Sequence, residues 1–475
     1  MRIRTVLFLG LLIPLLSLSG RAADGVFPAP RYLGDTNQFG TGLMRSMKLL
    51  ATSTAELRNT VKVLFYGQSI TEQGWWRVVA DDLRHRFPHA NLVIENRAIG
   101  GFASQLLVKM AETDLYEFQP DLLIFHVYGS HLEYENLIRR VRERTTADIL
   151  MQTDHLTQDR QLSEETNAAK LTPKDWNAFM NHAFLPATAA KYGAELCDQH
   201  TAWKQYLRDQ SLPAAQLLKD GVHLNAHGEF LMAEFVKAHL IYRADLAAAR
   251  DLDPWNNERV RTWVAGQDAT WRDGGLAVEL EGNRVDIVAR PGQALKGIEV
   301  RIDGRPPSAF PELYGTTRTT AWPGSIWPCL LRVTAEKPRM VEDWTLTLKE
   351  ASEDLKQFAF DVTGSVTGAD GEGRAGEKFV SRSGRVVIDP ADWNFDYARQ
   401  VFKTRLVPGF QIRWQVVPRF VDSLEVPPGT DAAMETVVTV ANGLPGGKHR
   451  LELRGPGKES VQAVRAYRPL RAGTD

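Results

Sequence analysis

Between residues 60 and 245 the chain alternates short apolar runs with amphipathic stretches, and this rhythm limits the fold more than any other feature. "VKVLFYG" (61–67), "NLVIENRAIGG" (91–101), "DLLIFHVYG" (121–129), "ADILMQTDH" (147–155) and "AELCD" (194–198) predict strands or strands with their loops. The third carries the continuous apolar run suited to burial on both faces. "QGWWRVVADDLRHRF" (73–87) and "ENLIRRVRERTT" (135–146) place apolar residues at helical spacing. "PKDWNAFMNHAFLPATAAKYG" (173–193) predicts a helix broken at Pro186, and "HGEFLMAEFVKAHLIYR" (227–243) a closing helix. "TGLMRSMKLLATSTAEL" (41–57) predicts one helix leading in. Strand alternating with helix implies an α/β fold: a parallel sheet with helices on both faces. Ligands of such sheets gather at the carboxyl ends of the strands.

At 475 residues the chain exceeds what one core organises, and its pattern changes near residue 248. "LAVELEGNRVDIVAR" (276–290) alternates apolar and polar residues about Gly282-Asn283, a hairpin signature. Further short strands follow, at 296–307, 344–351, 358–364, 409–420, 434–455 and 461–469, which predicts an all-β sandwich. The expected organisation is an α/β domain over 24–249 and a β-sandwich accessory domain over 250–475. Eight of the 12 Trp lie after residue 250. Most of them are expected in the sandwich core, and "WPGSIWP" (322–328) is the loop best placed to expose aromatic rings to a sugar.

The first 23 residues have the layout of a signal peptide: Arg2 and Arg4, an apolar run from Val6 to Leu18, then small residues at Gly20, Ala22 and Ala23. The run is shorter than the roughly 20 residues a spanning helix needs. A secreted or periplasmic protein without a stable membrane span is expected. Net charge is -1, which excludes nucleic-acid binding through a broad positive field. Cys197 and Cys329 are too few for a disulfide framework and are expected to be separate buried thiols. No metal-ligand spacing and no phosphate-binding glycine loop is present, so neither metal nor cofactor is expected.

Three stretches of the first half carry chemistry. Ser69 follows the first strand in "VLFYGQSIT" (63–71), Gly100-Gly101 follow the second, and "KDGVHLNAHG" (219–228) sets Asp220 three residues before His223. A serine becomes a nucleophile when a neutral His takes its proton and a carboxylate fixes the ring tautomer. The oxyanion so formed needs backbone N–H groups, and glycine lets backbone approach closely. Asp154-His155 ends the fourth strand, on the expected rim of the site. His126 is expected as a core residue, Glu133 and Glu135 as a solvated helix start, and His227 as the first turn of the last helix.

In this order and placement the blocks resemble the SGNH (GDSL-type) hydrolases. Gly67-Gln68-Ser69 stands where the family has Gly-Asp-Ser, Asn96 leads to Gly101 as in its second block, "VYGSH" (127–131) lies at its third, and Asp220 with His223 meets its Asp-x-x-His. The resemblance covers about residues 60–245. It implies a flavodoxin-like three-layer sandwich. It also implies Ser69 as nucleophile, His223 as base, Asp220 as its orienter, and an oxyanion hole from the Ser69 amide, the Gly101 amide and a third-block side chain. Two positions depart from the family. Gln68 replaces the usual Asp, as in the branch that looks like sialate and xylan acetylesterases. Ser130 stands in place of the oxyanion Asn, beside His131. Gln68, His131 and His155 are expected on the substrate rim.

The implied activity is that of a serine esterase removing an acyl group, acetyl foremost, from a polysaccharide or glycoconjugate through an acyl-enzyme. The alternatives are a lipase or thioesterase acting on longer acyl chains, and a non-catalytic carbohydrate-binding protein with a decayed hydrolase domain.

Overall fold

A computed structural model describes residues 27–269, 271–272 and 275–470. The signal-like segment lies outside the described residues. The first half is built on five parallel strands: β1 (Thr60–Gly67), β2 (Asn91–Asn96), β3 (Leu122–His126), β4 (Asp148–Gln152) and β5 (Glu195–Cys197). Their order in the sheet is β2-β1-β3-β4-β5. Alternate residues leave opposite faces. Leu64, Tyr66, Leu123 and Phe125 enter one core, and Val63, Phe65, Leu122 and Ile124 the other. Both faces are therefore covered, which makes three layers and accounts for the unbroken apolar runs.

The helices are α1 (Met44–Ala51), α2 (Ser69–Glu72), α3 (Trp75–Arg86), α4 (Ser104–Asp114), α5 (His131–Arg144), α6 (Trp176–Phe179), α7 (Leu185–Lys191), α8 (Gln199–Gln210), α9 (Ala226–His239) and α10 (Ala244–Ala249). The leading helix is shorter than the stretch 41–57, because Thr52 and Ser53 turn back to hydrogen-bond Lys48 and Leu49 carbonyls. The break expected at Pro186 is a π-turn over Met180–Phe184, after which Pro186 sits in the first turn of α7, where its missing N–H costs nothing. That bulge frees Asn181 to accept from the Asp154 N–H at the end of β4.

The second half contains a sandwich. One sheet takes its strands, in order, from Ser423–Val426, Leu295–Ile302, Lys448–Arg454, Gly275–Glu281 and Trp271–Arg272. The other takes Val437–Asn442, Arg284–Ala289, Val461–Tyr467 and Val260–Val264. Gly282-Asn283 corrects the hairpin expectation: the strands on either side of it pair in different sheets. Instead of closing a hairpin, Asn283 donates its N–H to the Tyr467 carbonyl and its side chain to that of Arg144. The corner thus carries the chain from one sheet to the other and ties the sandwich to α5.

Between the sandwich strands ending at Ile302 and resuming at Ser423 lies a second antiparallel unit. Its sheet runs Tyr314–Thr316, Gln411–Pro418, Glu342–Ala351, Phe358–Gly364, Gly368–Arg374, with a helix α11 (Phe395–Phe402) alongside. Its interior is continuous with the core under α4 and α5: Phe102, Leu107 and Tyr134 share one cluster with Trp327, Leu331 and Trp344. Trp322 and Trp327 are buried, so "WPGSIWP" displays no exposed indole. Trp322 Nε1 donates to Thr404 Oγ1, and Trp327 packs on the first half. Cys197 and Cys329 are free and buried in separate units. Among the described residues no helix is long and apolar enough to cross a membrane.

Candidate active site

β1 lies between β2 and β3, so the chain leaves it in one direction to build β2 and returns on its other side as β3. This is the switch point at which loops diverge and leave a crevice. Three loops meet there: Gln68-Ser69 after β1, Arg97–Ala103 after β2, and Val127–Ser130 after β3. Gly67 and His126 are register partners, and a side chain at Gly67 would come within 2.4 Å of the His126 carbonyl and Thr71 Oγ1. Glycine is needed at that corner so that β1 can turn directly into α2 with Ser69 at its first position.

Ser69 Oγ is 2.9 Å from His223 Nε2, and His223 Nδ1 is 2.9 Å from Asp220 Oδ2. The other carboxylate oxygen accepts from the N–H groups of His223 (2.7 Å) and Val222 (2.8 Å). Those bonds, from the His223 amide first, hold the Asp220 carboxyl well below the usual carboxylate range. An ionised Asp220 fixes the His223 proton on Nδ1 and leaves Nε2 free to accept from the serine. The structure therefore brings together the three residues expected from sequence.

Two residues hold the loop that carries His223, one not singled out by sequence and one expected elsewhere. Gln73, at the end of α2, accepts from the Leu224 N–H and donates to the Leu224 carbonyl, at 2.9 and 2.8 Å. It latches the Asp220–His223 loop to the helix that carries Ser69. From beneath, His155 Nε2 donates to the Val222 carbonyl at 2.7 Å, and Tyr128 Oη lies 3.2 Å from its Nδ1. Burial pushes His155 down to about 4, so the ring is neutral, with its proton on Nε2. His155 thus corrects the rim expectation. It is fully buried under the Asp220–His223 loop and lies away from any rim.

The Gly100-Gly101 turn is held from several sides. Ile99 N–H donates to the Gly67 carbonyl at 3.0 Å and Gly100 N–H to Glu72 Oε1 at 2.7 Å. From the inserted unit, Trp327 Nε1 donates to the Gly100 carbonyl and Tyr397 Oη to the Gly101 carbonyl, each at 2.9 Å. Gly101 has φ +81°, and a Cβ there would lie 2.5 Å from Trp327. Only glycine satisfies both the left-handed backbone and this approach. Among the described residues, neither the Ser69 nor the Gly101 N–H has a protein acceptor.

Gln68 is buried rather than on the rim. With its amide oriented to suit its neighbours, it donates to the Phe102 carbonyl and accepts from the Tyr128 N–H, both at 3.2 Å, and so braces the second loop against the third. Ser130 is the N-cap of α5: its hydroxyl accepts from the Glu133 N–H, its own N–H donates to Gln105 Oε1, and its carbonyl accepts from Ser104. His131 is half-buried and edge-on to the rings of Trp176, Phe179 and Phe184. His126 is buried, with Nε2 3.3 Å from Asp154 Oδ1. His227 bonds Tyr206 Oη at 2.7 Å in the first turn of α9.

Among the described residues one cluster has metal-ligand composition: Glu164, His182 and His200. Its centre is taken by the buried Lys204, whose ammonium lies 2.8 Å from Glu164 Oε1 and 2.9 Å from His182 Nε2. The lysine fills the place of a cation.

No family model matches the chain, and no curated protein does. Solved structures similar to it include a chain described as a GDSL-like lipase from Parabacteroides merdae, at 20% identity and a TM-score of 0.32, covering 40% of this chain and 100% of that one. An acetylxylan esterase from Geobacillus stearothermophilus matches at 17% identity and 0.33, over 40% of this chain and 97% of its own. Another acetyl xylan esterase matches at 20% identity and 0.32, over 38% and 100%.

Proposed function

We propose that the protein is a serine esterase of the SGNH type that removes acyl groups, acetyl foremost, from a polysaccharide or glycoconjugate. The observation that carries the reading is the Ser69–His223–Asp220 chain, with both links at 2.9 Å, beside two uncommitted backbone N–H groups. Ser69 Oγ attacks the ester carbonyl carbon while His223 Nε2 takes its proton. The carbonyl oxygen, now an anion, is met by the Ser69 and Gly101 N–H groups, with the Ser130 hydroxyl as the third donor. The C–O bond to the sugar breaks, and the leaving alkoxide takes the proton from Nε2. Water then attacks the acyl-Ser69 ester, giving its proton to His223, which returns it to the serine as the carboxylate leaves.

Support for a carbohydrate ester comes from the surroundings of the serine. The His223 and Asp220 side chains are 34% and 51% exposed, so a bulky polymer can reach them. Tyr397 stands on the oxyanion loop and is 39% exposed, offering a ring to a sugar face. Secretion or export to a periplasm fits this substrate and the signal-like first 23 residues. Hydrolysis of 4-nitrophenyl acetate, butyrate and octanoate, together with acetate release from acetylated xylo-oligosaccharides, tests the reading. Rates that fall with chain length, and acetate released from the oligosaccharide, are expected. A preference for octanoate would replace it with a lipase.

A further inference from the structure

Away from the serine, the first half, the sandwich and the inserted unit enclose a cavity of about 740 Å³. It opens on the middle and far part of α4: Lys109, the first residue of that helix on its wall, lies about 7.5 Å along it from Ser104. The oxyanion loop precedes that start, so the cavity is separate from the candidate active site. Its volume is that of a small-molecule site.

Its lining holds more basic than acidic side chains. Eight basic side chains line it, and seven of them share five carboxylate partners. Arg140 and Arg144 both bind Glu112, and Lys109 and Arg332 both bind Asp392. Of the other acids on the wall, Glu143 is committed to Arg139 and Glu312 is exposed. Among the described residues Arg339 makes no ion pair, and Glu112 is the one carboxylate that acts on it, from a distance. Its guanidinium donates to the carbonyls of Val333 (2.9 Å) and Tyr314 (3.3 Å). Burial, then the neighbouring Arg419, lowers its affinity for the proton. A half-buried cation beside another cation is costly unless an anion joins them.

We propose that this cavity binds a small acidic molecule, with its carboxylate or phosphate group between Arg339 and Arg419. A carboxylate and a phosphate share this chemistry. The proposal does not depend on the esterase reading, because binding is measured with the nucleophile removed.

The test is calorimetric titration of full-length Ser69→Ala protein with D-glucuronate, glucose 6-phosphate and glucose. At least one acidic sugar is expected to bind one per chain, at least tenfold more tightly than glucose. Binding should weaken at least tenfold in Arg339→Gln and fall as salt is raised from 50 to 500 mM. The tighter of the two acids identifies carboxylate or phosphate as the natural group. Arg332→Gln, on the more exposed side of the cavity, serves if Arg339→Gln fails to give the wild-type circular dichroism spectrum. Equal binding of all three sugars, or acidic binding unchanged in the folded Arg variants, would overturn the proposal and leave a solvated seam between the units.

Discussion

At the scale of single residues, the site depends on which atoms carry protons. Asp220 fixes His223 in the tautomer whose Nε2 can accept, so Asp220→Asn, which offers an amide instead, should cost about 10⁴-fold in kcat with little change in KM. His155 makes a second, pH-linked prediction. The unfolded imidazole takes a proton near 6.5, while the folded one refuses it until about 4. Between those values the unfolded state binds more protons, so stability falls as pH drops from 6.5 toward 4, by up to about 3 kcal/mol. Thermal melts of wild type and His155→Gln across that window should show a shallower fall in the variant. The sequence displayed Ser69, Asp220 and His223, because short-range motifs put them in view. It did not display the roles of His155 and Gln68. A polar residue at a strand end can face solvent or brace a loop, and only the burial produced by the folded chain decides.

At the scale of elements, the Asp220–His223 loop and the Gly100-Gly101 loop are each held by residues from elsewhere. Gln73 joins α2 to the His223 loop through both polar groups of Leu224. Gln73→Ala should lower kcat and speed amide exchange across residues 219–225, measured by mass spectrometry. Trp327 holds the Gly100 carbonyl, in the peptide unit that carries the Gly101 N–H, and Tyr397 on α11 holds the next unit through the Gly101 carbonyl. Losing that hydrogen bond in Tyr397→Phe removes about 1 kcal/mol of positioning, roughly a fivefold fall in kcat. A fall in KM-dependent binding alone, with kcat unchanged, would mean that Tyr397 only touches substrate. The strands of the first half were legible from their apolar runs. Helices α4 and α8 are not legible in the same way, because "SQLLVKMAETD" and "QHTAWKQYLRDQ" carry mixed faces whose buried side is set by their neighbours. The turn at Gly282-Asn283 has hairpin chemistry but joins two sheets, since the strands beside it find partners far along the chain.

At the scale of the whole molecule, α4, α5 and the inserted unit share one apolar cluster, while the sandwich keeps its own. Unfolding of β3 and of the strand Glu342–Ala351 should therefore coincide in denaturant-dependent hydrogen exchange. Separate transitions for these two segments would show that the shared core contributes little. The sequence announced a change of pattern near residue 248 and strands beyond it. It gave no sign that 307–418 forms a unit of its own reaching back to the Gly100-Gly101 loop. The residues that make the contact, Trp327 and Tyr397, sit more than 220 positions from Gly100 and Gly101. Such long-range pairing leaves no local period to read.

The most direct measurement is covalent labelling of the full-length protein with a fluorophosphonate, read by peptide mass spectrometry. The account predicts a single adduct on Ser69 that is lost in His223→Ala, a variant that keeps the serine but removes its base. An unlabelled Ser69 in folded wild-type protein, or labelling unchanged without His223, would contradict the claim that these residues form a working nucleophile.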